Sequence, residues 1–145
     1  MDLYKKDSYK NLVITNAYNT LEFLLKEGLD FMIVSYTNVI ECNPPIPKDV
    51  IEFEESAIFI IANYTKESAI LNKDNLSFEA GFGTQNFGST ITIPLEAIEQ
   101  IVVEENILHI SYYKPQKKIE SKDSMELLLN NPENQKLIKR KLNKK

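Results

Sequence analysis

The sequence predicts an α+β domain: one N-terminal helix followed by a small, partly open antiparallel β-barrel of the Sm or SH3 kind, with a flexible C-terminal tail. Three observations carry this. A single 3.6-residue apolar periodicity opens the chain, short β-branched runs divided by turn residues follow it, and apolar content falls away after Tyr113.

The elements follow in chain order. Between Ser8 and Glu27, the apolar residues Leu12, Val13, Tyr18, Leu21, Leu24 and Leu25 give a helix one buried stripe, and Gly28 supplies its stop. Phe31-Met32-Ile33-Val34-Ser35-Tyr36 is short, β-branched and aromatic, the composition of a buried strand. Prolines 44, 45 and 47 cannot donate to a central ladder, so Asn43 to Pro47 is expected to be an ordered loop. Ile58 to Ala62, Ala69 to Leu71 and Leu76 to Phe82 read as strands, the last two joined by the polar turn Asn72-Lys73-Asp74-Asn75. After a turn from Gly83 to Gly88, Thr90-Ile91-Thr92-Ile93 alternates as a half-buried strand does, and Pro94 closes it. Pro94 to Ile98 is expected to make one helical turn with proline at its first position. Strands Gln100 to Val103 and Leu108 to Tyr112, joined at Glu104-Glu105-Asn106, complete the domain, which spans residues 1–113.

Residues 114–145 form the expected tail. Lys114 to Ser124 has the polar composition of a linker, and beyond it Met125 to Leu129 and Pro132 to Leu142 are candidate helical turns, the second with Asn131 as its cap.

Composition narrows the chemistry. At 145 residues the chain accommodates one domain with a real core. One cysteine, Cys42, cannot close an internal disulfide, and a single histidine leaves no Cys/His metal cluster. No apolar run approaches the roughly 18 residues that a membrane span needs, and the opening Met1-Asp2-Leu3-Tyr4-Lys5-Lys6-Asp7 lacks the pattern of a secretory signal, so a cytoplasmic location is expected. Residues 1–113 hold 17 acidic and 7 basic side chains, net −10, whereas residues 114–145 hold 4 and 10, net +6. An acidic body repels phosphate backbones, while a basic tail can meet an acidic surface.

Candidates for catalysis are weak. Alternation in Ile107-Leu108-His109-Ile110 puts His109 opposite Leu108 and Ile110, as a strand-surface histidine without a dyad partner. Cys42 has no cationic neighbour to lower its pKa, and Glu52, Glu54 and Glu55 lack the spacing of a calcium loop. Gly81-Phe82-Gly83 leads from strand to strand, not from strand to helix, so it does not read as a phosphate loop. Glycine within a strand instead marks a bulge or the close approach of another backbone.

The order of certain residues resembles the stringent starvation protein B family. Ile58-x-x-x-Ala62-Asn63, the turn at Asp74, Phe78-Glu79-Ala80-Gly81-Phe82-Gly83, Ile93-Pro94, Ala97, Ile101 and Glu105-Asn106 carry the likeness, which spans about residues 8–112. The resemblance implies an Sm-like barrel without catalysis or cofactor, a homodimer contact through the N-terminal helix, and a groove for the ssrA tag of stalled translation products. It also implies a tail that docks on ClpX, the unfoldase of ClpXP. By position it implies peptide contacts at Asn63, Thr65, Phe78, Ala80, Gly81 and Phe82, and ClpX docking through Leu137, Ile138, Lys139, Arg140 and Leu142. Where the family carries arginine this chain has Gly81, so the resemblance also implies loss of an electrostatic contact to the peptide. An RNA-binding Sm-like module is the alternative, opposed by the acidic body, and an enzyme in a barrel mouth lacks a convergent polar triad.

Overall fold

A computed structural model describes residues 2–116. After a 3-10 turn at Leu3–Lys5 comes helix α1 (Asp7–Glu27), whose Val13, Ala17, Leu21 and Leu24 are buried. Their spacing of four, four and three residues aligns them on one stripe. Gly28 ends the helix in the left-handed region, at φ 68°, where its N–H reaches the carbonyls of Leu24 and Leu25. Leu12 and Phe23, eleven residues apart on another face, are exposed.

The strands are β1 (Phe31–Tyr36), β2 (Glu41–Asn43), β3 (Ser56–Ile61), β4 (Ile70–Leu71), β5 (Asn75–Phe82), β6 (Phe87–Pro94), β7 (Ile98–Val103) and β8 (Asn106–Ile110). A five-residue helix, α2 (Asn63–Glu67), lies between β3 and β4. The strands form two antiparallel four-stranded sheets, ordered β3-β1-β7-β8 and β2-β6-β5-β4. Ile33, Ile61 and Ile101 from the first sheet join Leu76, Phe78, Ile91 and Ile93 from the second in one core, with Ala17, Leu21 and Leu24 of α1. The 3-10 turn Leu95–Ala97 carries the chain from β6 to β7, and α1 packs against it. Ser35, fully buried, donates its hydroxyl to the Ala97 carbonyl at 3.2 Å, tying β1 to that turn. No helix among the described residues is long and apolar enough to cross a membrane.

The predicted helix, the Phe31–Tyr36 strand and the hairpin turn are all present. At that turn the Asn72 side chain accepts from the amides of Asp74 and Asn75, both at 2.8 Å. Local features differ, and two strands are longer or shifted: β6 begins at Phe87, inside the expected turn, and β8 runs from Asn106 to Ile110 instead of Leu108 to Tyr112. Asn43, assigned to the loop, ends strand β2, which pairs with β6 at Glu41↔Thr92, Cys42↔Ile91 and Asn43↔Thr90, and the ladder stops where Pro44 has no N–H. Helix α2 was not expected, because one polar turn with no buried residue carries no periodicity to read. Pro94 ends β6 opposite Asn75 and precedes the 3-10 turn instead of starting it.

Beyond β8 the chain remains attached. Lys114 pairs with Glu55 at 2.7 Å, and Asn38 donates to the Pro115 carbonyl at 3.0 Å.

His109 is a correction. Its alternation with Leu108 and Ile110 is as predicted, but the sense is inverted: His109 is 6% exposed, whereas Leu108 and Ile110 are 47% and 49% exposed. Its register partner is Ile101, which faces the core, so His109 faces it too. Burial lowers its pKa from the ordinary value, opposed by a backbone hydrogen bond at Ile98, and its Nε2 has no hydrogen-bond partner among the described residues. Because the folded state holds this imidazole neutral while the unfolded chain protonates it near pH ~6.5, its contribution is complete above that pH. It is lost as pH falls toward the lower folded pKa. The urea midpoint should therefore drop between pH 7 and 5, and a His109→Leu variant should flatten that drop; identical pH profiles for the two proteins would refute the assignment.

Candidate functional site

An open cleft of about 570 Å³ lies on the second sheet. Ala62, Asn63, Tyr64 and Thr65 line it from one side, Asn43 and Pro44 from another, and Glu79 to Gly81, Asn86 and Gly88 to Thr90 come from β5, β6 and their turn. The two-residue period of a strand explains the division of labour along β5. Leu76 and Phe78 are buried, while Ser77, Glu79 and Gly81 face the other way. Register brings Glu79 opposite Thr90, Gly81 opposite Gly88, and Asn43 opposite Thr90, so these residues share one face.

Strand β4 covers β5 only at Ser77 and Leu76, and past it the Glu79 amide donates to Ser68 Oγ at 2.8 Å. Because the Glu79 amide turns to Ser68, Glu79 and Thr90 form a non-hydrogen-bonded pair of the β5–β6 ladder, as do Ser77 and Thr92, whose hydroxyls meet at 3.0 Å. Ser77, Glu79 and Gly81 therefore direct their backbone N–H and C=O groups away from β6. At Gly81 that direction is toward the cleft and α2. This is an available strand edge, the kind of surface to which an extended peptide adds.

Two ties hold α2 across from that edge. Ser68 Oγ donates to the Thr65 carbonyl at 2.8 Å while accepting from Glu79. Lys66 Nζ reaches Asp30 Oδ1 at 2.7 Å and the Gly28 carbonyl at 2.9 Å, anchoring α2 to the end of α1. Opposite, Ser89 Oγ donates to the Pro44 carbonyl at 2.8 Å and fixes the far wall.

Gly81 and Gly88 both line the cleft, but the space beside each differs. At Gly81 the space of a side chain is already taken, since a Cβ there would collide with the Asn86 carboxamide. Asn86 holds that place from a left-handed backbone, φ 54°, with its N–H on the Gly83 carbonyl at 3.2 Å. At Gly88 a Cβ would meet nothing within 4 Å. The space beside Gly81 is thus filled by a neutral amide from the neighbouring turn.

Charge in the cleft comes from Glu79. Hydrogen bonding to Glu79, and then its negative charge, raise the pKa of the Tyr64 phenol above its ordinary value. Tyr64 is 61% exposed, which leaves its ring and hydroxyl accessible at the rim.

Of the residues singled out from sequence, Asn63, Thr65, Ala80 and Gly81 come together here. Phe78 and Phe82 do not line the cleft. Phe78 is 1% exposed and packs on Phe59 at a ring separation of 5.6 Å, and Phe82 packs edge-on against Phe53 at 5.9 Å. Strand alternation sends both aromatics to the face opposite Glu79, and the methyl of Ala80 also packs against the core. Residues 137–142, the proposed docking segment, lie outside the described residues.

Sequence reasoning missed Asn43, Pro44, Ala62, Tyr64, Glu79, Asn86, Gly88, Ser89 and Thr90. Glu79 was legible, as the charged residue between two inward-facing positions; Asn43 and Pro44 were not, because their place depends on the β2–β6 pairing.

Cys42 is half-buried, and burial pushes its thiol pKa up, away from a reactive thiolate. Among the described residues no three His, Cys, Asp or Glu side chains group as metal ligands would. No family model matches the chain, and no curated protein matches it.

Proposed function

We propose that this chain is a non-catalytic cytoplasmic adaptor for proteolysis, which holds an extended peptide of the ssrA-tag kind in the cleft and presents it to ClpX through its C-terminal tail. The observation that carries the reading is the convergence of Asn63, Thr65, Ala80 and Gly81 beside the open edge of β5. Main-chain groups at that edge bind a peptide backbone whatever its sequence, and side chains around the cleft then choose among sequences. On this reading the two sheets are the halves of a partly open Sm-like barrel. RNA is disfavoured, since the charged side chain lining the cleft is an acid.

Leu137, Ile138, Lys139, Arg140 and Leu142 are proposed to contact ClpX. Tethering then makes the second contact intramolecular and strengthens overall binding by about 10²–10⁴-fold without new chemistry. The exposed Leu12 and Phe23 on one face of α1 support a homodimer through that helix. Sedimentation equilibrium should give a dimer for the intact chain and a monomer for Phe23→Lys; a monomeric intact chain would remove the dimer from the proposal.

The cleft is tested by fluorescence anisotropy with a labelled ssrA peptide from the host. Saturable binding at micromolar or lower concentration is expected, and Gly88→Val should abolish it. That substitution projects into open space and replaces a strand glycine, whose presence costs roughly 0.5–1 kcal/mol relative to alanine, so the thermal midpoint should hold or rise. Absence of binding by the intact protein would sink the tag-adaptor reading.

A further inference from the structure

We infer that the peptide accepted by this cleft carries a lysine or arginine side chain, and that Glu79 receives it. The inference rests on the peptide-binding reading above and names the chemistry of its ligand. Glu79 is the charged side chain among the lining residues described, and it stands on the sheet face between Thr90 and the α2 wall. It is exposed, and its hydrogen-bond partner Tyr64 is a neutral phenol that leaves the negative charge in place for an incoming cation. Its neighbours do not neutralise it. Lys66, the cation of α2, is drawn to the other side by Asp30 and the Gly28 carbonyl. Glu67, at the end of α2, lies close enough to Tyr64 to act on its phenol and adds a second negative charge on that side.

The remaining lining is neutral: Asn43, Asn63, Thr65, Asn86 and Thr90 offer amides and hydroxyls that serve either charge or none. A carboxylate presented among such groups attracts ammonium or guanidinium and repels acid, so its effect is on discrimination as much as on affinity. The space over Gly81 is filled by the neutral Asn86 amide, so no cation of the chain competes for Glu79 there.

The position along the peptide is found by a scan. Seven-residue labelled peptides of alanine and asparagine, each carrying lysine, norleucine or glutamate at one position in turn, are titrated against the intact protein at low salt. At one position, lysine should bind about fivefold tighter than norleucine and glutamate weaker still, with the lysine advantage shrinking as salt rises. Glu79→Gln should equalise lysine and norleucine, and Glu79→Lys should invert the order in favour of glutamate. Because Glu79 is exposed, both variants should keep the wild-type circular dichroism. Peptides that bind with no dependence on charge, or a lysine preference that survives Glu79→Gln, would overturn this inference and leave the peptide cleft standing. Failure of every scanned peptide while the host ssrA peptide binds would overturn this inference alone, and failure of the ssrA peptide as well would remove both.

Discussion

The eight-residue ladder between β5 and β6 is the constraint from which the rest of the molecule follows. Paired from Asn75↔Pro94 to Phe82↔Phe87, it gives each strand one inward and one outward face. Inward, Leu76, Phe78, Ile91 and Ile93 supply the second sheet's share of the core. Outward, Glu79, Gly81, Gly88 and Thr90 form the floor of the cleft. A slip of one residue would exchange the two sets, burying a carboxylate and exposing a phenylalanine, so core packing and cleft chemistry are specified by the same register. The register is held at one end by the Leu95 amide on the Asp74 carbonyl at 2.9 Å, and at the other by the Gly83–Asn86 turn.

Against that ladder the cleft arises from an incomplete neighbour. Strand β4 pairs for two residues and then gives way to Ser68 and α2, which is braced to α1 through Lys66 and to β5 through Ser68. An edge left open within a folded sheet is a liability for aggregation unless something shields or uses it. Here α2 stands beside the edge, held by side-chain ties, and together they line the open cleft. An adaptor requires little more: a held strand of substrate, and a second attachment point to raise its local concentration at the partner.

How much of this could be read beforehand depended on the range of the interaction. Helix α1 and strand β1 were legible because their signals lie within a few residues, as was the Gly28 stop. Asn63, Thr65, Ala80 and Gly81 were named only through the resemblance, by position, and no local signal marked them. Strand β2 was hidden, since three residues before a proline run become a strand only when β6 is there to pair with them. His109 shows the limit of periodicity: alternation revealed that it opposes Leu108 and Ile110, but only the pairing with Ile101 decides which face is inward. Phe78 and Phe82 were carried over to the peptide by position from the resemblance, although strand alternation turns them to the face opposite Glu79. The Asn86 amide over Gly81 depends on a left-handed turn residue, and no local pattern announces where such a side chain comes to rest.

The central claim is that an extended peptide adds along β5 at Gly81, between α2 and the β5–β6 floor. Amide chemical-shift mapping of the 15N-labelled protein, titrated with the host ssrA peptide, tests it most directly. The largest changes should fall at residues 62–65, 79–81 and 86–90, with the Gly81 amide moving as it gains a hydrogen-bond partner. Changes confined instead to the exposed face carrying Ile58, Ile60 and Ile110, with residues 79–81 unmoved, would contradict the account.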